Sequence, residues 1–273
     1  FMLAANEAVA GHLFARKIPS LYRIHERPDP ARIAQLNELL VVFGARLPEP
    51  YEALDPSHFQ EVLDQLEGKP EFRFLSRAML RSMKLARYSA EKGLHFGLGA
   101  STYTHFTSPI RRYPDLVVHR ILKEGMRSKR LSEERQEALR QMLPNVASHS
   151  SRCERTADDA EWEVVEWKKL AYLAGRVGET FDGYIASITP FGFFVELTNL
   201  FVEGLVHIST LPEDRYHFVE RKHILKGERT GTVYRIGAPC RVRLDRVNEP
   251  QRRVDFSPAG VTAPPLRGRK GRS

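Results

Sequence analysis

The sequence predicts an α+β chain, mainly helical over residues 1–175, closing in a five-stranded β-barrel of the OB type over 178–257, with a basic, disordered tail at 258–273. Three observations carry that prediction. Apolar residues recur at helical spacing through the first part, as Phe72, Leu75, Met79 and Met83 do. From about Gly178 the period drops to two, in short runs bounded by turn residues. Five such runs in about 80 residues suit a small Greek-key barrel.

Each element has a local cause. Residues 1–10 are helical in character from the start, with no cap and no initiating Met, and read as part of a longer protein, of which this chain would be a C-terminal piece. Ser20-Leu21-Tyr22-Arg23-Ile24-His25 reads as a short extended segment. Asp29-Pro30 and Asp55-Pro56 are N-cap and first-turn pairs, opening helices that stop near Gly44 and Gly68. Residues 71–88 place Phe72, Leu75, Met79, Met83 and Leu85 on one core-facing helical row. His95-Phe96-Gly97-Leu98-Gly99 is a glycine-punctuated turn, and a helix follows at 115–126. The last helix runs from Pro144 to Ala174. Its residues Val146, Cys153, Ala157, Ala160, Val164, Trp167 and Leu170, separated by 7, 4, 3, 4, 3 and 3, trace one buried stripe. Strands are predicted at 181–188, 193–197, 204–208, 238–247 and 253–257. The tail, rich in Arg267, Arg269, Lys270 and Arg272, is low-complexity and basic.

Composition bounds the function without naming it. At 273 residues, 42% hydrophobic and 28% charged, the chain is globular and long enough for one large or two ordinary domains. A net charge of +8 suits an acidic partner such as nucleic acid. Two cysteines, Cys153 and Cys240, make neither a disulfide framework nor a metal-ligand spacing, so a reducing cytoplasm is the default expectation. No apolar run approaches the roughly 18 residues of a membrane span, and no membrane role is expected.

The stretch richest in chemistry is Tyr103-Thr104-His105-Phe106-Thr107-Ser108-Pro109-Ile110-Arg111-Arg112-Tyr113-Pro114-Asp115, followed by Leu116-Val117-Val118-His119-Arg120. Ser108-Pro109 can open a helix whose free N–H groups and dipole favour an anion, with two guanidinium forks beside it. Pro114 supports a second reading, a turn that delivers the arginines before a helix begins at Tyr113 or Pro114. The residues alone leave both open.

This motif resembles the signature of the ribonuclease II superfamily of processive 3′→5′ exoribonucleases, in the form carried by its ribonuclease R branch. The resemblance implies that residues 1–175 are the C-terminal part of a ribonuclease (RNB) catalytic domain. It also implies hydrolysis of single-stranded RNA from its 3′ end to 5′-mononucleotides, by a monomer, with the ribosome as a further partner. Arg111 matches the position that holds the scissile phosphate and stabilises its developing charge. Arg112 would anchor a neighbouring phosphate or a structural carboxylate. Glu161 matches an acidic position near the active centre, His105 stands near RNA, and Arg23 and His25 match an element beside the channel. Tyr103 and Tyr113 read as packing. The family's Mg2+ site is a cluster of aspartates, which suits a hard cation. No such cluster occurs in this sequence. The acidic run Asp158-Asp159-Ala160-Glu161-Trp162-Glu163-Val164-Val165-Glu166 reads as a solvated helix face, partly paired with Arg152 and Arg155. This piece is therefore expected to bind RNA without cleaving it efficiently.

Thr189-Pro190-Phe191-Gly192-Phe193-Phe194-Val195-Glu196-Leu197 and Glu203-Gly204-Leu205-Val206-His207-Ile208-Ser209 resemble the S-one class of RNA-binding OB domains. That resemblance puts Phe191, Phe194 and His207 on the RNA face, where aromatic rings stack on bases of any identity. Alternation about Gly192 requires one ring of this group to be core. Arg241, Arg243, Arg246 and Arg253 are candidates to track phosphates, and Tyr216, His217 and Phe218, in a long barrel loop, to stack. A non-catalytic RNA-binding or ribosome-associated protein is the alternative.

Overall fold

The computed structural model describes residues 1–127, 131–220 and 223–259. The basic tail expected from residue 258 lies, from 260 onward, outside the described residues. The chain divides into two compact units. One comprises residues 1–37, 47–61 and 79–160, and the other 38–46, 62–78 and 161 onward.

In the first unit, α1 (Met2–Ala15) leads to strand β1 (Tyr22–Ile24). Helix α2 (Pro30–Val42) begins where Asp29 Oδ1 accepts the Ala31 N–H at 2.9 Å. Helix α3 (Pro56–Leu66) begins in the same way, with Asp55 Oδ1 accepting from Ser57 N–H at 2.9 Å. Both aspartates satisfy first-turn donors that the helix itself cannot. Helix α4 (Phe72–Ser82), which belongs to the second unit up to residue 78, is shorter than the row predicted for 71–88. Leu85 lies beyond it and is exposed, and Arg87–Ser89 forms β2, antiparallel to β1. Helix α5 (Tyr113–Arg127) starts after the Ser-Pro step. The core here joins Leu13, Ile18, Leu21, Tyr88, Val118, Ile121, Leu139 and Leu143.

Helix α6 (Glu133–Ala174) carries Pro144 in its interior instead of starting there. Ser132 is the true start, its Oγ accepting the Arg135 N–H at 3.2 Å. The predicted stripe also fails. Cys153, Ala157, Ala160, Val164 and Trp167 are exposed, and burial is confined to Leu139, Leu143, Ala147, Ser150 and Ser151 early and Leu170 and Leu173 late. An apolar row has the right period for burial, but burial also needs a facing element, which periodicity does not supply.

In the second unit, five strands close a barrel in the order β10-β5-β4-β3-β9. They are β3 (Thr180–Thr189), β4 (Gly192–Leu197), β5 (Glu203–His207), β9 (Pro239–Asn248) and β10 (Arg253–Pro258). All neighbours are antiparallel except β10 and β5, which run parallel. Phe193, Val195, Val206, Leu244, Val254 and Phe256 fill the interior with Leu170 and Leu173 of α6. The segment between β5 and β9 is not a plain loop. It folds as a three-stranded sheet of β6 (Tyr216–Val219), β7 (Ile224–Gly227) and β8 (Val233–Arg235). Asp214 ties its turn, accepting from the Arg229 and Thr230 N–H groups at 2.9 and 2.8 Å. Tyr216, His217 and Phe218 therefore belong to a strand, one too short for alternation to reveal.

Candidate nucleic-acid interface

The barrel wall sorts its aromatic rings by strand alternation. On β4, Phe193, Val195 and Leu197 point inward, while Gly192, Phe194 and Glu196 face outward. The register pairs Gly192 with His207, Phe194 with Leu205 and Glu196 with Glu203. Phe193 is 1% exposed and stacks on Tyr234 at 4.8 Å, so it is the core ring of the group. Phe191 is 48% exposed, and Phe194 meets it edge-on at 6.5 Å. Backbone pairing of the Ile208 N–H with the Phe191 carbonyl, at 2.9 Å, fixes the Phe191 turn beside His207. His207 Nδ1 accepts the Ser209 N–H at 3.2 Å, and the residue is exposed. Phe191, Phe194 and His207 thus share one end of the outer face.

The other end is occupied. Arg77 of α4 pairs with Glu196 and, at 2.9 Å, with Glu203. Glu196 is 5% exposed and also accepts the Tyr184 hydroxyl. Arg73 lies 5.3 Å over Tyr184 and 5.7 Å over Phe201. These arginines sit over Tyr184, Phe201, Glu196 and Glu203, while Phe191 and His207 at the other end stay exposed. Sequence reading missed them, because Arg73 and Arg77 sit on the polar side of an amphipathic helix, where arginines are ordinarily solvated. Arg253 opens β10 and is exposed, two residues before Asp255, which pairs with Leu205, so it stands toward the Glu203 end. Arg241 and Arg243 lean on Asp182 and Asp245 at 3.9 and 2.9 Å.

In the first unit, hydrogen bonds hold both ends of residues 103–115. Asn6, buried, donates to the Tyr103 hydroxyl at 2.9 Å and accepts the Phe106 N–H at 3.0 Å. Thr104 Oγ1 donates to the Leu21 carbonyl at 2.6 Å. His119 donates to the Phe106 carbonyl at 2.8 Å and stacks on its ring at 4.0 Å. Ser108–Arg112 is a turn, with the Arg111 and Arg112 N–H groups both reaching the Ser108 carbonyl at 3.3 and 3.0 Å. The second of the two sequence readings is therefore the one realised. Pro114 falls in the first turn of α5, where a missing N–H costs nothing.

The two arginines part company. Arg112 donates from Nη2 to Asp115 Oδ1 at 2.8 Å, so its partner is the structural carboxylate. Arg111 is exposed, and its side chain makes no hydrogen bond or ion pair among the described residues. Arg23 is committed, donating to Glu154 Oε2 at 2.5 Å with its guanidinium 4.7 Å over Tyr88. The Tyr88 hydroxyl meets His105 Nδ1 at 2.8 Å. His105 is pushed down to about 4 by burial and then by the charges of Arg112 and Arg23, so its ring is neutral at pH 7. His25 Nδ1 accepts the Gly97 N–H at 3.0 Å, and burial lowers its pKa too. His95 joins the same row, 5.3 Å from both His25 and Tyr103, and is likewise pushed down to about 4.

Glu154 is the acidic residue of α6 that reaches this network. Glu161 is exposed, lies in the second unit, and makes no ion pair among the described residues. Neighbouring Glu163 and Glu166 pair with Arg252, whereas Arg152 and Arg155 hydrogen-bond to His149 and to the Ser151 carbonyl, not to the acidic run. Among the described residues no three His, Cys, Asp or Glu side chains converge as a metal requires.

Comparison with known proteins matches residues 1–128 to the RNB domain and 176–258 to the S1 RNA binding domain. The chain is 44% identical over 256 residues to ribonuclease R of Aquifex aeolicus, covering 94% of this chain and 36% of that protein. It is 38% identical over 262 residues to ribonuclease R of Escherichia coli, covering 94% and 32%. It therefore spans about a third of the length of these curated relatives. Among solved structures, Mycoplasma genitalium RNase R in its apo form superposes with a TM-score of 0.82 at 30% identity, over 94% of this chain and 40% of that one. The same enzyme in complex with ribose methylated single-stranded RNA gives 0.80 at 30% identity, with the same coverage. Yeast Ssd1, described as a pseudonuclease, shares the fold at 21% identity and a TM-score of 0.66, over 82% of this chain and 28% of that one. The chain thus carries an RNB-domain segment followed by an S1 RNA binding domain, and across both it is similar to the ribonucleases R.

Proposed function

We propose that this chain is part of a 3′→5′ exoribonuclease of the ribonuclease R type, and that its share of the work is to hold single-stranded RNA and present an arginine to a phosphate. One observation carries this reading. Of the charged side chains in residues 103–115, Arg111 alone is exposed and uncommitted while its neighbours are fixed. A guanidinium so placed stabilises negative charge developing on a phosphoryl oxygen, and it moves no proton. The open end of the barrel face contributes stacking that is indifferent to base identity, which suits an enzyme that travels along its substrate. Arg253 adds positive charge on the same barrel. The reading takes the protein as a cytoplasmic monomer whose free thiols stay reduced; burial pushes Cys240 up to about 12, where it is inert.

The residues present do not fit the magnesium centre that the family implies. The acidic residues of 158–166 are exposed along one helix or paired with Arg252, and no three carboxylate, imidazole or thiol side chains converge among the described residues.

The test is a denaturing gel of 5′-labelled single-stranded RNA with the 273-residue protein and magnesium, beside a mobility-shift gel without magnesium. The expected result is a shifted complex and intact RNA. Stepwise shortening to a short 5′ oligonucleotide would show that the chain holds its own metal site. Absence of a shift at micromolar protein would remove the RNA-binding role altogether.

A further inference from the structure

Two adjacent arginines of one turn have opposite fates, and a single carboxylate separates them. Asp115, in the first turn of α5, is 0% exposed. Its Oδ1 accepts two hydrogen bonds at 2.8 Å, one from the Ser108 N–H at the start of the turn and one from Arg112 Nη2 at its end. The same turn is closed by the Arg112 N–H on the Ser108 carbonyl at 3.0 Å. Asp115 thus staples both ends of a five-residue loop whose middle, Ile110 and Arg111, is left exposed. Remove the staple and Arg112 loses the only carboxylate that draws it inward among the described residues. Its guanidinium then competes with Arg111 for the outside, and the turn is free to rotate.

We infer that Asp115 is a positioning residue, which draws Arg112 inward through the Arg112 guanidinium and the Ser108 N–H and thereby aims Arg111 at a phosphate of the RNA. This rests on the reading of Arg111 given above and adds a residue to it. Asp115 touches neither RNA nor the reacting atoms. Its buried negative charge is matched by the one guanidinium it holds, through a single Nη2–Oδ1 contact, so the pair carries no net charge.

The experiment measures binding of a 5′-fluorescent single-stranded RNA by anisotropy, in EDTA, over a range of potassium chloride concentrations. The proteins compared are the unmodified chain, Arg111→Ala, Asp115→Asn and the double variant. Asparagine keeps an acceptor for the Ser108 N–H but removes the charge that holds Arg112. Losing one phosphate contact lowers the log–log salt slope by about 0.7 for a single strand. Arg111→Ala is expected to show that loss, Asp115→Asn most of it, and the double variant no more than Arg111→Ala alone. A role confined to stability would lower the melting temperature and leave the Arg111-dependent part of the slope intact. Should Asp115→Asn lack a cooperative unfolding transition, Arg112→Lys replaces it, keeping the charge while losing the guanidinium that reaches Asp115, with the same non-additivity expected. Additive losses in an otherwise effective Arg111→Ala background overturn the positioning role alone. An Arg111→Ala protein with unchanged affinity and slope overturns the reading of Arg111 and this inference together.

Discussion

Replacing Phe191 and Phe193 by alanine, one at a time, separates RNA contact from barrel integrity, because the two rings lie on opposite sides of the same wall. Phe193 is 1% exposed, packs on Tyr234 at 4.8 Å, and belongs to the cluster that includes Val195, Val206 and Phe256. Truncating such a ring costs about 3–5 kcal/mol, from lost transfer energy and the cavity left behind. Domains have only about 5–15 kcal/mol of stability, so this loss is large. For a chain of this size it lowers the melting temperature by roughly 10 °C. Phe191 is 48% exposed and has already forgone half of that burial, so Phe191→Ala costs about 1 kcal/mol or less. On RNA the order reverses. A lost stacking platform is worth about 1–3 kcal/mol, or roughly 5- to 150-fold in Kd. Anisotropy titration with labelled single-stranded RNA, beside circular-dichroism melting, reads both quantities on the same protein samples. Phe191→Ala is expected to melt within a few degrees of the unmodified chain and to bind RNA at least about fivefold more weakly. A Phe191→Ala protein that binds normally, or melts as early as Phe193→Ala, refutes the assignment of faces.

Two further predictions concern stability. His95 and His105 are both pushed down to about 4, by burial first and then by neighbouring positive charge, against an unfolded value near 6.5. Between those values the unfolded chain binds more protons than the folded one. Stability is therefore full above about pH 6.5 and declines as the pH falls toward 4. Acidification from pH 7 to pH 5 removes at most about 2 kcal/mol per histidine, less what solvent screening takes from these half-buried rings. Melting curves at pH 7, 6 and 5 should shift steadily downward, and a His105→Asn variant should flatten the trend; equal melting temperatures at pH 7 and 5 would contradict it. Gly192 has φ +147°, and an added Cβ would fall 2.2 Å from the Val206 carbonyl oxygen. Gly192→Ala should lower stability by about 2 kcal/mol or more and loosen the β4–β5 pairing that holds His207, read as faster amide exchange there. Unchanged exchange and melting would mean that the wall yields more readily than its geometry implies.

By itself the sequence determined what local pattern determines. The five barrel strands were legible because alternation and turn residues are short-range signals, and they also required one ring beside Gly192 to be core. The helix starts at Asp29 and Asp55 were legible because a cap needs only its own first turn. The likeness to the RNB domain was legible because residues 103–120 are a long, specific word.

Tertiary structure decided what depends on a partner far along the chain. Which of Arg111 and Arg112 stays free follows from a carboxylate one helical turn later, whose inward direction no spacing reveals. Tyr88 and Glu154, far apart in sequence, join Arg23 and His105 in one network, so residues that read as RNA contacts are committed to one another. Arg73 and Arg77 had the look of solvated helix charges until the barrel placed Tyr184, Glu196 and Glu203 beneath them. The apolar row of α6 had the right period but, among the described residues, is exposed over most of its length. Periodicity states which residues share a face, and only packing states whether that face is covered.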